Sequence, residues 1–164
     1  MDIYDESLLK FWKSLTDHSV RYIMVGGFAV NMHGFNRTTN DIDIWLDDKK
    51  INRKNFGKAM DFFGYGGVNW EEMQFVPGWN DFYIGPGIRL DIMISMKGLG
   101  DISFDTALKT AKIGDIEGLK VPFLQLNQLI SNKKAVNRPK DQIDIIELEK
   151  IKKLRDELGL DDIS

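Results

Sequence analysis

The sequence predicts a mixed α/β (α+β) fold, in which a mixed β-sheet of about four to five strands is flanked by helices and followed by a helical C-terminal part. Three observations support this prediction. Short apolar strand-like segments and segments of helical periodicity are interspersed without a strict alternation. From Leu124 onward, the apolar residues are spaced only as in helices. The length of 164 residues fits one domain (1–164), with a core over 1–120 and C-terminal helices over 121–164 packed on it.

The N-terminal half begins with a helix, because "DESLLKFWKSLTDH" spaces its large apolar residues along one helical face. A mostly apolar strand follows and is interrupted by two adjacent glycines. The elements predicted after the first helix are a strand over 21–25, a short helix over 28–33 ended by Gly34, a strand over 42–46 and a helix over 50–63.

The C-terminal half contains two predicted hairpins and ends in helices. Residues 64–80 are rich in glycine and turn formers and are predicted to be irregular. "DFYIG" and "IRLDIMIS" form the first hairpin around "PG", and "KIGDIEGLKVPF" forms the second. Helices are predicted over 103–111, over 124–136, and from Pro139, which suits a first helical turn, to about 158.

Composition limits the classes of function. The formal net charge of −3 argues against a general nucleic-acid-binding protein. The chain has no cysteine, which excludes disulfides, thiolate metal sites and a cysteine nucleophile. Its N-terminal segment does not resemble a secretory signal, and no apolar run reaches the roughly 18 residues of a membrane helix. A cytoplasmic protein that does not bind membranes is therefore expected.

Two carboxylates share one face of a predicted core strand. In "DIDI", Asp41 and Asp43 point to one side, whereas Ile42 and Ile44 point to the other. Two such carboxylates repel each other and resist burial, so this face is expected to be open to solvent or to hold cations. Asp91, in the apolar strand "IRLDIMI", supplies a third acid. Three acids on neighbouring strands are able to hold two Mg²⁺ ions about 3.5 to 4 Å apart.

The glycine pair makes this pattern more specific. Gly26 and Gly27 lie at a strand-to-helix turn, where backbone N–H groups can receive phosphate oxygens. Alone, such a pair is usually a tight turn. The full order of elements is more specific than the glycine pair alone. It consists of a strand, Gly-Gly, a short helix, an Asp-x-Asp strand and a later strand with Asp.

The pattern "VGGFAV", then Arg-Thr and "DIDI", then "LDIM" resembles the nucleotidyltransferase superfamily that includes DNA polymerase β. It is most similar to small bacterial stand-alone members of toxin–antitoxin, abortive-infection and antibiotic-modifying systems, over residues 21–95. Many members have Ser where Gly27 stands, and both forms occur. The resemblance implies a nucleotidyltransferase fold and transfer of a nucleoside monophosphate from an NTP, such as ATP, with two Mg²⁺ ions or Mn²⁺.

The resemblance also implies roles for the motif residues. Asp41, Asp43 and Asp91 would be the catalytic metal ligands, and Asp91 is a candidate to accept the proton of the acceptor hydroxyl. Gly26 and Gly27 would let the backbone approach the phosphates.

A basic segment, "SNKKAVNRPKDQIDIIELE", is the second candidate for phosphate binding. Lys133, Arg138 and Lys140 lie close together, and Asp141 and Asp144 follow at helical i,i+3 spacing. One interpretation is a solvated helix junction with local ion pairs. The other follows from its resemblance to the Lys…Arg-x-Lys-Asp-x-x-Asp element of stand-alone nucleotidyltransferases, in which a basic residue contacts the triphosphate. Alternatively, Asp141 or Asp144 orients one of these basic residues structurally.

Arg37 lies four residues before Asp41, on a loop beside the same site. It is expected either to pair with Asp43 or to contact phosphate, and the sequence does not choose between these.

Two functions of different class remain open. One is an active transferase whose acceptor is a tRNA, a small-molecule antibiotic or a protein. The other is a non-catalytic nucleotide-binding or toxin–antitoxin regulatory protein that retains the fold. Retention of all three acids favours the enzyme. So small a domain is also open to completing its acceptor cleft as a homodimer.

Overall fold

The computed structural model describes residues 5–76 and 82–160 and contains a mixed sheet with helices around it. The elements in chain order are α1 (Glu6–Asp17), β1 (Tyr22–Val25), α2 (Gly26–Met32), β2 (Asp41–Leu46), α3 (Lys50–Asp61), β3 (Phe82–Gly85), β4 (Ile88–Met93), α4 (Phe104–Thr110), β5 (Lys112–Ile116), β6 (Leu119–Phe123), α5 (Leu126–Val136) and α6 (Pro139–Glu157).

The sheet has the order β3-β4-β2-β1-β6-β5. The β2/β4 and β1/β6 pairs are parallel, and the other neighbours are antiparallel. The predicted mixed α/β class is thus confirmed, but the prediction of four to five strands is too low. The second hairpin does not stand apart from the sheet, because β6 pairs with β1 through Met24 and Phe123 and extends it to six strands.

The helix α1 forms where its sequence pattern predicts. Asp5 accepts a hydrogen bond from the backbone N–H of Ser7 at 2.9 Å and so caps the first turn. Its inward face is completely buried and consists of Leu8, Phe11, Trp12 and Leu15. This i, i+3, i+4, i+7 stripe supplies much of the core beside the sheet.

A buried asparagine ties α3 to the strands. The Asn52 side chain accepts from the backbone N–H of Arg21 at 2.7 Å and donates to the carbonyl of Asp47 at 2.8 Å. These bonds satisfy backbone groups just before β1 and just after β2, beyond the ends of the ladder. They anchor α3 beside the β1/β2 pair, and β2 carries part of the candidate site.

The two last helices are joined by a tight turn. α5 ends at Asn137, which adopts a left-handed conformation with φ of 55°, and α6 begins at Pro139 as predicted. Asp141 accepts from the backbone N–H of Arg138 at 2.9 Å and caps α6. α2 differs from the prediction, since it begins at Gly26 rather than at Phe28.

The predicted strand "DFYIG" is present from Phe82, and Asp81 lies outside the described residues. No helix within 5–76 and 82–160 combines the length and apolar character needed to cross a bilayer.

Candidate active site

Three carboxylates lie on one face of the two adjacent parallel strands β2 and β4. Asp43 is directly opposite Asp91 in the strand register, and Asp41 is opposite Arg89. Neighbouring strands are about 4.8 Å apart, so the paired side chains project side by side. The alternating residues on β2, Ile42 and Ile44, are completely buried on the other face. The apolar side anchors the strand and leaves the acids facing outward.

Asp43 is the most perturbed acid of this group. Burial, and then the nearby negative charges of Asp91 and Asp41, raise the pKa of Asp43 from 3.8 to about 6. The positive charges of Lys133 and Lys140 act in the opposite direction but do not cancel the effect. In the metal-free protein, ionisation of the Asp43 carboxyl group is therefore energetically unfavourable. A bound cation would offset this unfavourable free energy.

The first glycine of the pair makes room for this carboxylate. Gly26 has φ of +68°, which glycine adopts without strain. A Cβ at this position would lie 2.1 Å from Oδ2 of Asp43. No other residue fits without displacing the acid, so the glycine is required by close packing as well as by its conformation.

The second glycine faces the loop before β2. A Cβ on Gly27 would lie 2.8 Å from Oγ1 of Thr39 and 3.2 Å from the guanidinium of Arg37. No side chain caps the first turn of α2. Both glycines therefore hold the start of α2 close to β2 and its preceding loop.

All nine residues predicted for the site line one cavity of about 360 Å³. The sequence predictions brought together in this way are Gly26, Gly27, Arg37, Asp41, Asp43, Asp91, Lys133, Arg138 and Lys140. Acids lie on the strand side of this cavity, whereas three of its five cationic residues come from α5, α6 and the turn between them.

Three of the four cations predicted for the site are held by two buried carboxylates of α6. Asp144 is 2.8 Å from Nε of Arg37 and 3.0 Å from Nζ of Lys133. Asp141 is 3.2 Å from Nζ of Lys133 and 2.9 Å from Nε of Arg138. Arg37 therefore pairs with Asp144 rather than with Asp43, and its phosphate contact stays a prediction.

Asp141 and Asp144 join several elements of the cavity wall through ion pairs. Although burial acts to raise it, hydrogen bonds from Arg138 and the charge of Lys133 lower the pKa of Asp141 to about 2. Asp141 and Asp144 are 0% and 1% exposed, so both are charged groups that depend on their partners. They join α5, α6 and the loop before β2 into one wall of the cavity.

Lys140 differs from the other three predicted cations, Arg37, Lys133 and Arg138, because it does not pair with the α6 carboxylates. It is exposed at the start of α6, it lines the cavity, and its charge acts on Asp43. In the described part of the chain, no carboxylate lies within ion-pair distance of it. Lys140 is thus the cation of this set that is available to an anion entering the cavity.

The acids suit a hard divalent cation in kind, because carboxylate oxygens are the ligands that Mg²⁺ prefers. Over residues 5–76 and 82–160, however, no three or more His, Cys, Asp or Glu side chains already form a group able to hold a metal. Asp91 instead lies 3.5 Å from the guanidinium of Arg89. Binding an ion therefore requires the carboxylates to turn toward one another.

Sequence reasoning missed several residues of the cavity wall. Asn132, Lys97 and Met96 line it; Asn132 lies within the basic segment but was not singled out, and no motif marks the other two. Arg89 does not line the cavity but lies 3.5 Å from Asp91; it was also missed, although alternation along "IRLDIM" places it on the same face as Asp91.

Comparison with known proteins identifies the fold. No protein-family model matches the chain, and no curated protein is significantly similar to it in sequence. Among solved structures, a protein of Thermotoga maritima, provisionally identified as a nucleotidyltransferase, superposes with a TM-score of 0.52 at 19% identity, over 95% of this chain and 92% of that one. An antigenic nucleotidyltransferase-like protein of Paracoccidioides brasiliensis superposes with a TM-score of 0.52 at 18% identity, over 90% and 73%. The predicted nucleotidyltransferase fold is therefore confirmed.

Proposed function

We propose that this chain is a metal-dependent nucleotidyltransferase that moves a nucleoside monophosphate from an NTP to an acceptor hydroxyl by a two-metal mechanism. The observation that carries this proposal is the position of three carboxylates on adjacent strands, facing a cavity with cationic residues around it. The fold shared with nucleotidyltransferase-like structures supports it.

The reaction joins the acceptor oxygen to the α-phosphorus of the NTP and releases pyrophosphate. Such transfer needs charge neutralisation and in-line positioning more than covalent help from the protein. Bound Mg²⁺ supplies charge neutralisation on the triphosphate. Asp41, Asp43 and Asp91 would hold the ions, and Asp91 would accept the proton of the attacking hydroxyl. Gly26 lets the backbone approach the phosphates.

The cations divide into two roles in this proposal. Lys140 contacts the triphosphate, because it is exposed in the cavity and has no carboxylate partner in the described part of the chain. Lys133 is 3% exposed and is shared between Asp141 and Asp144, so it positions the wall and contributes mainly a positive field. Arg138 is half exposed beside Asp141 and is able to reach an anion with its outer edge.

Label transfer tests the proposal. The chain is incubated with α-³²P-labelled NTPs and Mg²⁺ or Mn²⁺, and each acceptor class is offered in turn: tRNA, aminoglycoside and lincosamide antibiotics, and protein. We expect label in one class with the wild type, and none with Asp41→Asn or Asp43→Asn. Asp91→Asn should also abolish transfer but retain part of the NTP binding. If any of these variants retained wild-type activity on the true acceptor, the assignment of these three carboxylates as the catalytic site would be wrong.

A second candidate is a nucleotide-binding regulatory protein without turnover, such as one half of a toxin–antitoxin pair. The observation in its favour is that the carboxylates do not form a ready-made metal group and that most cations are already paired. NTP affinity that is independent of Mg²⁺, together with no transfer to any acceptor, would favour it over the enzyme.

A further inference from the structure

We propose that the end of the cavity beyond β4 is a nucleobase subsite, and that through Asn132 it selects a base with an amino group at position 6 of a purine or position 4 of a pyrimidine, as in adenine or cytosine. This inference rests on the proposed function, because it assigns the base of the same NTP. The argument uses the direction of β4, the apolar side chains beyond it, and the hydrogen bond that orients Asn132.

The direction of β4 separates the two ends of the cavity. Asp91 and Met93 lie on the same face of β4, because side chains alternate along a strand. Met93 is about 7 Å beyond Asp91, at a rise of about 3.3 Å per residue. The chain then continues through Met96 and Lys97, which also line the cavity. A nucleotide with its phosphates at the carboxylates is long enough to place its base here.

This end of the cavity is apolar on its sides. Its lining includes Met93, Met96 and Val136. Methionine thioethers are polarizable and make favourable contacts with aromatic rings, which suits the face of a base. Around the carboxylates the lining consists mainly of charged residues and glycines, so an aromatic ring is better accommodated at the end formed by β4, the following loop and α5.

Asn132 provides the polar group that reads the edge of the base. Its Nδ2 donates to the backbone carbonyl of Lys97 at 2.8 Å. Because a carbonyl only accepts, the amide must face it with nitrogen, and Oδ1 is left as an acceptor. In the described part of the chain no donor is bonded to that oxygen, and Asn132 lines the cavity. An acceptor there favours the amino groups of adenine and cytosine over the carbonyl oxygens of hypoxanthine and uracil.

Close packing keeps this wall in place. Gly98 has φ of +85°, and a Cβ there would lie 2.6 Å from the carbonyl oxygen of Ser131 and 2.5 Å from Cβ of Ala135. The loop after β4 therefore lies directly on α5, one residue from the Lys97 carbonyl that orients Asn132. A preorganised acceptor discriminates between bases better than a mobile one.

The test is calorimetric titration of the whole chain, in Mg²⁺ and without acceptor, with two matched nucleotide pairs. ATP and ITP differ in an amino group against a carbonyl oxygen, and so do CTP and UTP. We expect at least one amino-bearing nucleotide to bind about tenfold more tightly than its partner, the loss of one good hydrogen bond.

Asn132→Ala should abolish that difference by weakening only the amino-bearing nucleotide. Asn127→Ala, an exposed asparagine on the same helix but outside this cavity, is the control and should keep it. If all four nucleotides bind equally, or the difference survives in Asn132→Ala, the subsite assignment is overturned and the proposed function stands. If none binds with Mg²⁺, both are overturned.

Discussion

Replacing Asp43 by Asn should stabilise the metal-free protein at neutral pH. The pKa of this carboxyl is raised from 3.8 to about 6 by burial and by its acidic neighbours. A raised pKa in the folded state means that folding favours the protonated form. The stability that Asp43 contributes is therefore fully present below pH 4 and is lost as the pH rises through 6. Asn resembles the protonated acid and avoids this loss.

The magnitude follows from the shift. About two pKa units at 1.36 kcal/mol each correspond to a gain of at most about 3 kcal/mol above pH 7. For a chain of this size that gain raises the melting temperature by about 6 to 12 °C. At pH 4 the variant and the wild type should differ little.

Thermal unfolding at pH 4, 5.5 and 7.5 in a chelating buffer measures this effect. Asp101→Asn, which removes an exposed carboxylate, is the matched control and should change the melting temperature little at any pH. Asp91→Asn should give a smaller gain, because it removes one neighbouring charge and leaves Asp43 buried. Added Mg²⁺ with NTP should stabilise the wild type and not Asp43→Asn. Equal stability of Asp43→Asn and wild type at pH 7.5, or a gain that is the same at pH 4, would refute the electrostatic reasoning.

Three further predictions concern the cavity wall. Gly26→Ala should lose more stability than Gly87→Ala, by over about 1 kcal/mol in denaturant unfolding, because both positions have positive φ but only the first would collide with a carboxylate; equal losses would contradict the packing argument. Asp144→Asn should cost about 3 to 5 kcal/mol, since it breaks buried ion pairs, whereas Glu149→Gln in an exposed pair should cost less than about 1 kcal/mol in the same assay. Lys140→Ala should weaken NTP binding about 10- to 100-fold in titration calorimetry with an unchanged melting temperature; unaltered affinity would exclude a triphosphate contact.

The strand that carries the first two acids could be predicted closely from the sequence. Alternation in "DIDI" places Asp41 and Asp43 on one face whatever the surrounding fold, because the period of two is a local property. The register that sets Asp91 beside Asp43 is not local. It depends on which strands become neighbours; an acid in an otherwise apolar strand suggested it, and the resemblance to a known family supported it.

The pairing of the cations could not be predicted. Arg37 and Asp144 are separated by more than one hundred residues of sequence and meet only because α6 packs beside the loop before β2. Charge composition shows that a basic segment exists, but it does not show which lysine is neutralised. The sixth strand was missed for a similar reason, since a hairpin and an extension of the main sheet have the same local pattern.

The position of the α6 carboxylates late in the sequence determines when, during synthesis, the cationic wall of the cavity can be completed. The acids of β2 and β4 are complete once residue 91 has been made, whereas Arg37 and Lys133 gain their shared partner only with residue 144. The cationic wall of the cavity therefore has its buried carboxylate partners only when α6 is present.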